Sequence, residues 1–260
     1  KLSAIKSFGA FLVCFIPIFI GFILPISELI FWSFESESTF FNQNFIQTSF
    51  NTISLAIVAG LISALIALLI NFSIRLKPGS SIRRFSSLLS IGYAVPGLIL
   101  AVGIVQLLIY VDSNFLDSTD VVLTGSIFGL LLAYIIKSYA LANSSIESGY
   151  ERITTSIDDA AKILGSSGWN MLSRVHSPLM KTSFLTATLL VMSEVVKDLP
   201  ATLILRPFNF ETLAVSTYIY AAEERMFQAA SPAIVIVVIG LIPIVFLSKM
   251  IRSSSQSKER

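Results

Sequence analysis

Six long apolar runs constrain this chain more than any other feature. They cover roughly residues 8–34, 50–70, 85–110, 121–141, 183–205 and 232–250. A helix needs about 20 apolar residues to cross the hydrocarbon of a bilayer. A core helix of a soluble protein would not repeat that length six times. Charged residues are 13% and hydrophobic residues 54% of the sequence, whereas soluble domains run near a quarter charged. The fold class that follows is all-α: one integral membrane domain over residues 1–260, with about six transmembrane helices.

The segments between the runs alternate in charge. Lys1 and Lys6 precede the first run, and the next segment carries acids but no base. Arg75, Lys77, Arg83 and Arg84 follow the second run. Asp112, Asp117 and Asp120 follow the third, again without a base. Arg152, Lys162, Arg174 and Lys181 lie between runs four and five. The last loop sets Arg206 and Arg225 against three acids, and the tail holds Lys249, Arg252, Lys258 and Arg260. Basic residues mark every second segment, so the positive-inside rule places both termini and the 71–84 and 142–182 loops in the cytoplasm. The net charge of +2 argues against a nucleic-acid role. A single cysteine, Cys14, permits no disulfide within the chain and reads as a small buried hydrophobe.

Some residues break the apolar pattern. Glu194, Lys197 and Asp198 sit in run five, spaced to share one helical face. Charges at that depth are costly when unpaired. They read either as a polar patch on a translocation route or as an ion pair that locks helices. Pro200 favours the route, because a proline-bent span commonly lines a cavity. No His or Tyr accompanies these acids, so they are not read as a metal site. In run three, Pro96 and Gly97 should break or bend the helix within the membrane. Lys137, near the inner end of run four, should snorkel to the interface.

The segment 143–181 is the most informative. Ser156 fits an N-cap, with Asp158 and Asp159 in the first helical turn. Ile157, Ala160, Ala161 and Leu164 recur on one face, and Gly165 fits the stop. A second short helix over 169–175 should end before Pro178. Such a hairpin has an apolar stripe but no core of its own. It should dock on a partner, or else pack back on the ends of its own spans. Enzyme chemistry has little support. No GxxxxGK[ST] phosphate loop, GxSxG or HExxH occurs, and the only histidine, His176, lies in this loop.

Asp159-Ala160-Ala161, then Gly165, then Val175-His176-Ser177-Pro178 resembles the "EAA" signature of binding-protein-dependent ABC permeases. That signature reads E-A-A, three residues, G, nine residues, I-x-L-P. The spacing here is the same; Asp159, Val175 and Ser177 depart from it. The run from Lys197 to Ala214, KDLPATLILRPFNFETLA, is similar to the "KELPATLLLRPF.FDTLA" stretch of the ferric-iron importer permeases. Tyr93-Ala94-Val95-Pro96-Gly97-Leu98 and Asn51-Thr52-Ile53-Ser54-Leu55 also look like parts of that family.

The resemblance implies a MetI-like transmembrane domain in the inner membrane. It implies that this chain matches the second half of a two-half permease, which fits a sequence that begins at Lys1. Its partners would be a second six-helix unit, cytoplasmic ABC ATPase subunits and a periplasmic substrate-binding protein that delivers ferric iron. ATP would be bound by the ATPases, with no cofactor in this chain. Asp159, Ala160, Ala161, Gly165, Val175 and Pro178 would couple to the ATPase. Glu194, Lys197, Asp198, Pro200 and Pro96 would belong to the pathway or its gate. Other cargoes stay open (thiamine, a phosphonate, sulfate, a polyamine), as does an ATPase-independent secondary transporter.

Overall fold

The computed structural model describes residues 3–35, 42–77, 79, 81–116 and 122–258. Lys1, Asp117, Asp120, Val121 and Arg260, used above for charge pattern or span limits, lie outside the described residues. Helices and turns make up the rest, with no strand among the described residues. Helix α1 (Ala4–Ile18) passes through a π turn at Phe19–Ile23 into α2 (Leu24–Glu35). Pro25 follows that turn and cannot donate to the preceding one, and an extra residue per turn is a common way to absorb such a defect. Next come α3 (Gln43–Leu76), α4 (Ser81–Ser90), a 3₁₀ turn at Ile91–Ala94, α5 (Gly97–Phe115) and α6 (Ile127–Glu151). The chain ends with α7 (Thr155–Ile163), α8 (Gly168–Met171), α9 (Ser177–Val196), α10 (Pro200–Leu205), α11 (Leu213–Ala222) and α12 (Met226–Lys258).

Among the described residues, six segments are long and apolar enough to cross a membrane: Lys6–Glu35, Gln43–Leu76, Gly97–Phe115, Ile127–Glu151, Gly168–Val196 and Met226–Phe246. Two differ instructively from the sequence expectation. Span three is not one helix over 85–110; it is interrupted at Val95 and Pro96, where the expected break falls. Span five begins at Gly168 rather than residue 183 and ends at Val196 rather than residue 205. The expected stop before Pro178 is absent. α8 runs through a π turn (Leu172–His176) directly into α9, with Pro178 in the first turn of α9, where a missing N–H is tolerated.

α3, α6 and α9 pack against one another at the centre. Their contact faces are made of small residues. Ala56, Ala59, Ala64 and Ala67 of α3, Ala133 and Ala142 of α6 and Ala187 of α9 are all fully buried. Lipid tails are as apolar as leucine, so helices in a bilayer gain by close backbone approach, which small residues permit. Gly60 is the closest case, since a Cβ there would lie 2.8 Å from the Thr188 carbonyl oxygen on α9. α2 joins this centre through α12, where Trp32 meets Phe227 edge-on at 6.3 Å. Every side chain from Lys6 to Ile18 is exposed. Cys14 is therefore exposed, not buried.

Gly60→Val should drive α3 and α9 apart, at a cost of about 1–3 kcal/mol typical of overpacking. Gly103→Val on α5, where a Cβ meets nothing within 4 Å, should be neutral. Detergent-solubilised yield and melting temperature check the pair; equal behaviour of both variants would contradict this packing.

Candidate functional site: the hairpin after α6 and the buried charge pair

The hairpin grows out of the end of α6. A helix leaves its last carbonyls without partners. Arg75, in the last turn of α3, supplies donors for that end. Its guanidinium donates to Tyr150 O at 3.0 Å, Ile153 O at 2.8 Å and Thr154 O at 3.1 Å. Its Nε donates to Asp158 Oδ2 at 2.6 Å. Across the carboxylate, Nε2 of the fully buried His176 lies 3.2 Å from Asp158 Oδ1. That approach is off the hydrogen-bonding direction, and neither imidazole nitrogen has a hydrogen-bond partner. The ring is positioned by Phe72 and Tyr150, at centroid distances of 5.2 and 5.5 Å. The end of α3, the start of α7 and the π turn before α9 thus meet at one carboxylate.

The expected coupling residues divide into two sets. Asp159, the motif acid, points outward and pairs only with Lys162, at 3.3 Å. Its neighbour Asp158 is the buried acid, because one step along a helix turns a side chain by about 100°. Ala160 is exposed, while Ala161 is buried against the bundle. The expected stripe of Ile157, Ala160, Ala161 and Leu164 is therefore split, with only Ala161 inside. The N-cap is Thr154, not Ser156; the two hydroxyls lie 2.8 Å apart.

Gly165 does end the helix. Its φ of +79° suits glycine. Gly165 N donates to Lys162 O at 2.9 Å and Ser166 N to Ala161 O at 2.9 Å, the paired bonds of a Schellman motif. Val175 packs against the core and Pro178 is exposed. Beside the exposed Asp159–Lys162 pair, the hairpin presents an apolar knob: Ile163, Leu164 and Trp169 are 86%, 85% and 72% exposed.

Gly168–Val196 is one continuous helical segment of about 43 Å at 1.5 Å per residue. It connects the hairpin to the charged residues of span five. There the helix opens at 197–199, and the three charges do not share a face. Lys197 pairs with Glu194 at 2.8 Å on an exposed surface. Asp198 turns inward and pairs with Lys137 of α6. Lys137 is thus held inside the bundle rather than reaching for the interface.

Asp198 also caps α10, accepting from Ala201 N at 3.1 Å through Oδ1. The Thr202 hydroxyl donates to the Asp198 carbonyl and lies 2.6 Å from the buried Tyr134 hydroxyl. The break at Pro96 arrives at the same place. A methyl group on Gly97 would sit 3.3 Å from the Lys137 ammonium and 3.5 Å from Pro200 Cβ. Two interrupted helices therefore meet around one buried ion pair. Asp158, Arg75, Tyr150 and Lys137 are the residues that spacing rules did not assign to the site.

Residues 75–253 match the family described as "Binding-protein-dependent transport system inner membrane component", and the chain belongs to that family. It is a multi-pass inner-membrane permease domain. Among curated relatives, it is 25% identical over 251 residues to the Fe(3+)-transport system permease protein FbpB 2 of Haemophilus influenzae. That match covers 94% of this chain and 46% of the relative. It is 27% identical over 134 residues to the putative 2-aminoethylphosphonate transport system permease protein PhnV of Salmonella typhimurium, covering 52% and 51%. The chain thus spans about half the length of the curated relatives it matches. A solved chain of a bacterial alginate ABC transporter, in complex with its alginate-bound periplasmic protein, superposes with a TM-score of 0.72. The identity is 15%, covering 95% of this chain and 94% of that one. A second alginate importer structure gives 0.68 at 16% identity. That likeness is one of fold.

The two ion pairs of span five should respond differently to mutation. Lys137→Met leaves Asp198 buried without a countercharge, which costs about 3–5 kcal/mol. Adding Asp198→Asn removes the charge, keeps the α10 cap and should restore most of the loss. Lys197→Met, at an exposed pair, should change stability by under about 1 kcal/mol. Folded yield and thermal unfolding of the purified protein give the comparison; a Lys197→Met loss as large as that of Lys137→Met would contradict it.

Proposed function

We propose that this chain is a permease unit of an ATP-driven importer that carries cargo from a periplasmic binding protein into the cytoplasm. The observation that carries the reading is the apolar knob at Ile163, Leu164 and Trp169, on a hairpin clamped to the bundle by Arg75 and Asp158. A cytoplasmic ATPase seated on that knob would push on α3, α6 and α9 together. The absence of a phosphate loop from the sequence leaves ATP to the partner. Charge alternation supports an orientation with both termini and the hairpin inside. A second six-helix unit would complete the pathway. The alginate importer, solved in complex with its periplasmic protein, supports partnership of that kind.

The exposed Glu194–Lys197 pair belongs to the pathway in this reading. A charge pair on a spanning helix is costly against lipid, so that surface should face the second unit or a wet route. The inward Lys137–Asp198 pair, with Pro96 and Pro200 nearby, would set the hinge beside it. Discontinuous helices at such positions are a recurring device in transporters.

Ferric iron is the favoured cargo. The run 197–214 and the iron permease relative, matched over 94% of this chain, support it. A phosphonate is the second reading, supported by PhnV over half of this chain.

Trp169→Asp with Leu164→Asp should leave the permease level intact while recovery of the ATPase and cargo uptake fall at least about tenfold, in keeping with loss of buried anchors. Uptake of radioactive ferric iron against labelled 2-aminoethylphosphonate, in cells bearing the intact system, separates the cargoes. Undiminished ATPase recovery with normal uptake would overturn the docking assignment.

A further inference from the structure

Between α9 and α12 the chain does not simply turn. α11 has 10 residues, about 15 Å, half the hydrocarbon thickness. Its start is pinned deep on α3. Leu213 N donates to the buried Thr52 hydroxyl at 2.8 Å, and Asn51 Nδ2 donates to Glu211 O at 3.2 Å. Asn51 lies eight residues, or about 12 Å, along α3 from Gln43. The loop 206–212 is thus drawn down beside α3 into an irregular, well-anchored path. Irregular backbone at such depth is tolerated where it lines a water-filled cavity.

A cavity of about 310 Å³ lies there, lined among others by Asn44, Gln47, Asn209, Glu211, Ser216 and Tyr220. No Lys or Arg lines it, and Glu211 is its only charge. The amides are oriented in part by their own bonds. Gln47 Nε2 donates to Asn51 Oδ1 at 3.0 Å, and the Asn51 amide is committed to the Glu211 carbonyl. That leaves the Gln47 carbonyl oxygen free to accept. Ser216 Oγ donates to Glu211 Oε2 at 3.4 Å and holds the carboxylate in the cavity. Asn209 sits at φ +57°, a turn conformation that asparagine tolerates.

With one carboxylate and no lysine or arginine in the lining, the cavity favours a cation over an anion, and its amide and hydroxyl oxygens can accept from a donor-rich ligand. No group of three or more His, Cys, Asp or Glu able to hold a metal ion occurs among the described residues, so a bare ion would lack ligands. A hydrated ion would not. Its six inner waters, roughly 180 Å³ at liquid density, fit the space.

We propose that this pocket is a receiving site for a hydrated metal cation, held through its water ligands by Glu211 and the oxygens of Gln47, Asn44 and Asn209. The inference rests on the importer reading, which puts this end of α3 outside. Arg206 is the built-in competitor. It lies 3.7 Å from Glu211 Oε1, too long for a tight bond, and donates to Phe210 O at 3.4 Å. An arriving cation displaces it from the carboxylate and releases it again on departure. One exchangeable carboxylate gives a weak site, which is what onward movement needs.

Hexaamminecobalt(III), an exchange-inert trivalent complex with only N–H donors on its surface, is the probe. It is titrated calorimetrically into the purified complex of this full chain with its partner subunits in lipid nanodiscs. Glu211→Gln should weaken binding at least about fivefold, and Arg206→Gln should tighten it by a factor of about three or more. Glu28→Gln, at an acid of α2 outside the pocket lining, should leave it within about twofold. Equal affinity of wild type and Glu211→Gln, weaker binding by Arg206→Gln, or no binding to wild type would overturn the site. ATPase recovery is read on the same preparations. A missing ATPase sinks the importer reading without touching the titration, and a failed titration with the ATPase present sinks only the pocket.

Discussion

The carboxylate of Asp158 joins two parts of this molecule that sequence keeps far apart. Arg75 reaches it from the end of α3 and, with the same guanidinium, takes up three carbonyls at and beyond the end of α6. His176 closes against it from the segment that becomes α9. α3, α6 and α9 are also the helices of the packed centre. A hairpin fastened in this way cannot swing free of the bundle without leaving a guanidinium and a carboxylate unpaired, a loss of several kcal/mol where the groups are desolvated. Under the proposed function, displacement of the exposed knob would act on all three central helices at once.

The other end of α9 shows how the membrane shapes the chain. Asp198 is accommodated because Lys137 faces it and because the broken helix lets it cap α10. The opening at 197–199 and the break at Pro96 are matched defects: each frees backbone groups, and both lie beside the same ion pair. Rigid transmission along α9 thus ends at a place where two helices can rearrange. Rigidity at the hairpin and discontinuity at the charge pair fit a part that converts a push on the hairpin into a rearrangement at the charge pair.

Local signals in this sequence specify structure directly, whereas contacts between distant segments leave no local mark. Hydrocarbon thickness imposes itself on composition, so the six spans were legible, while the limits of spans three and five were not. Pro96 breaks its helix because proline acts locally, and Gly165 stops one for the same reason. Pairings were not legible where they depend on distant segments. Glu194, Lys197 and Asp198 share a face only if the helix continues. Pro200 opens it at 197–199, and Asp198 finds a partner 61 residues away. Asp159 fills the motif position, yet Asp158 makes the contact, since only the packed structure shows which side of α7 is covered. Pro178 looked like a stop, but the π turn before it lets the helix pass.

If the Asp158 contact carries ATPase motion to the bundle, the ratio of cargo imported to ATP hydrolysed depends on it. The measurement uses proteoliposomes containing this chain with its partner subunits and binding protein. Asp158→Asn keeps the exposed knob, so the account predicts that the ATPase still binds and still hydrolyses ATP. Cargo moved per ATP should fall by about tenfold, the change expected when about 1.4 kcal/mol of coupling is lost. An unchanged ratio in that variant would contradict the account.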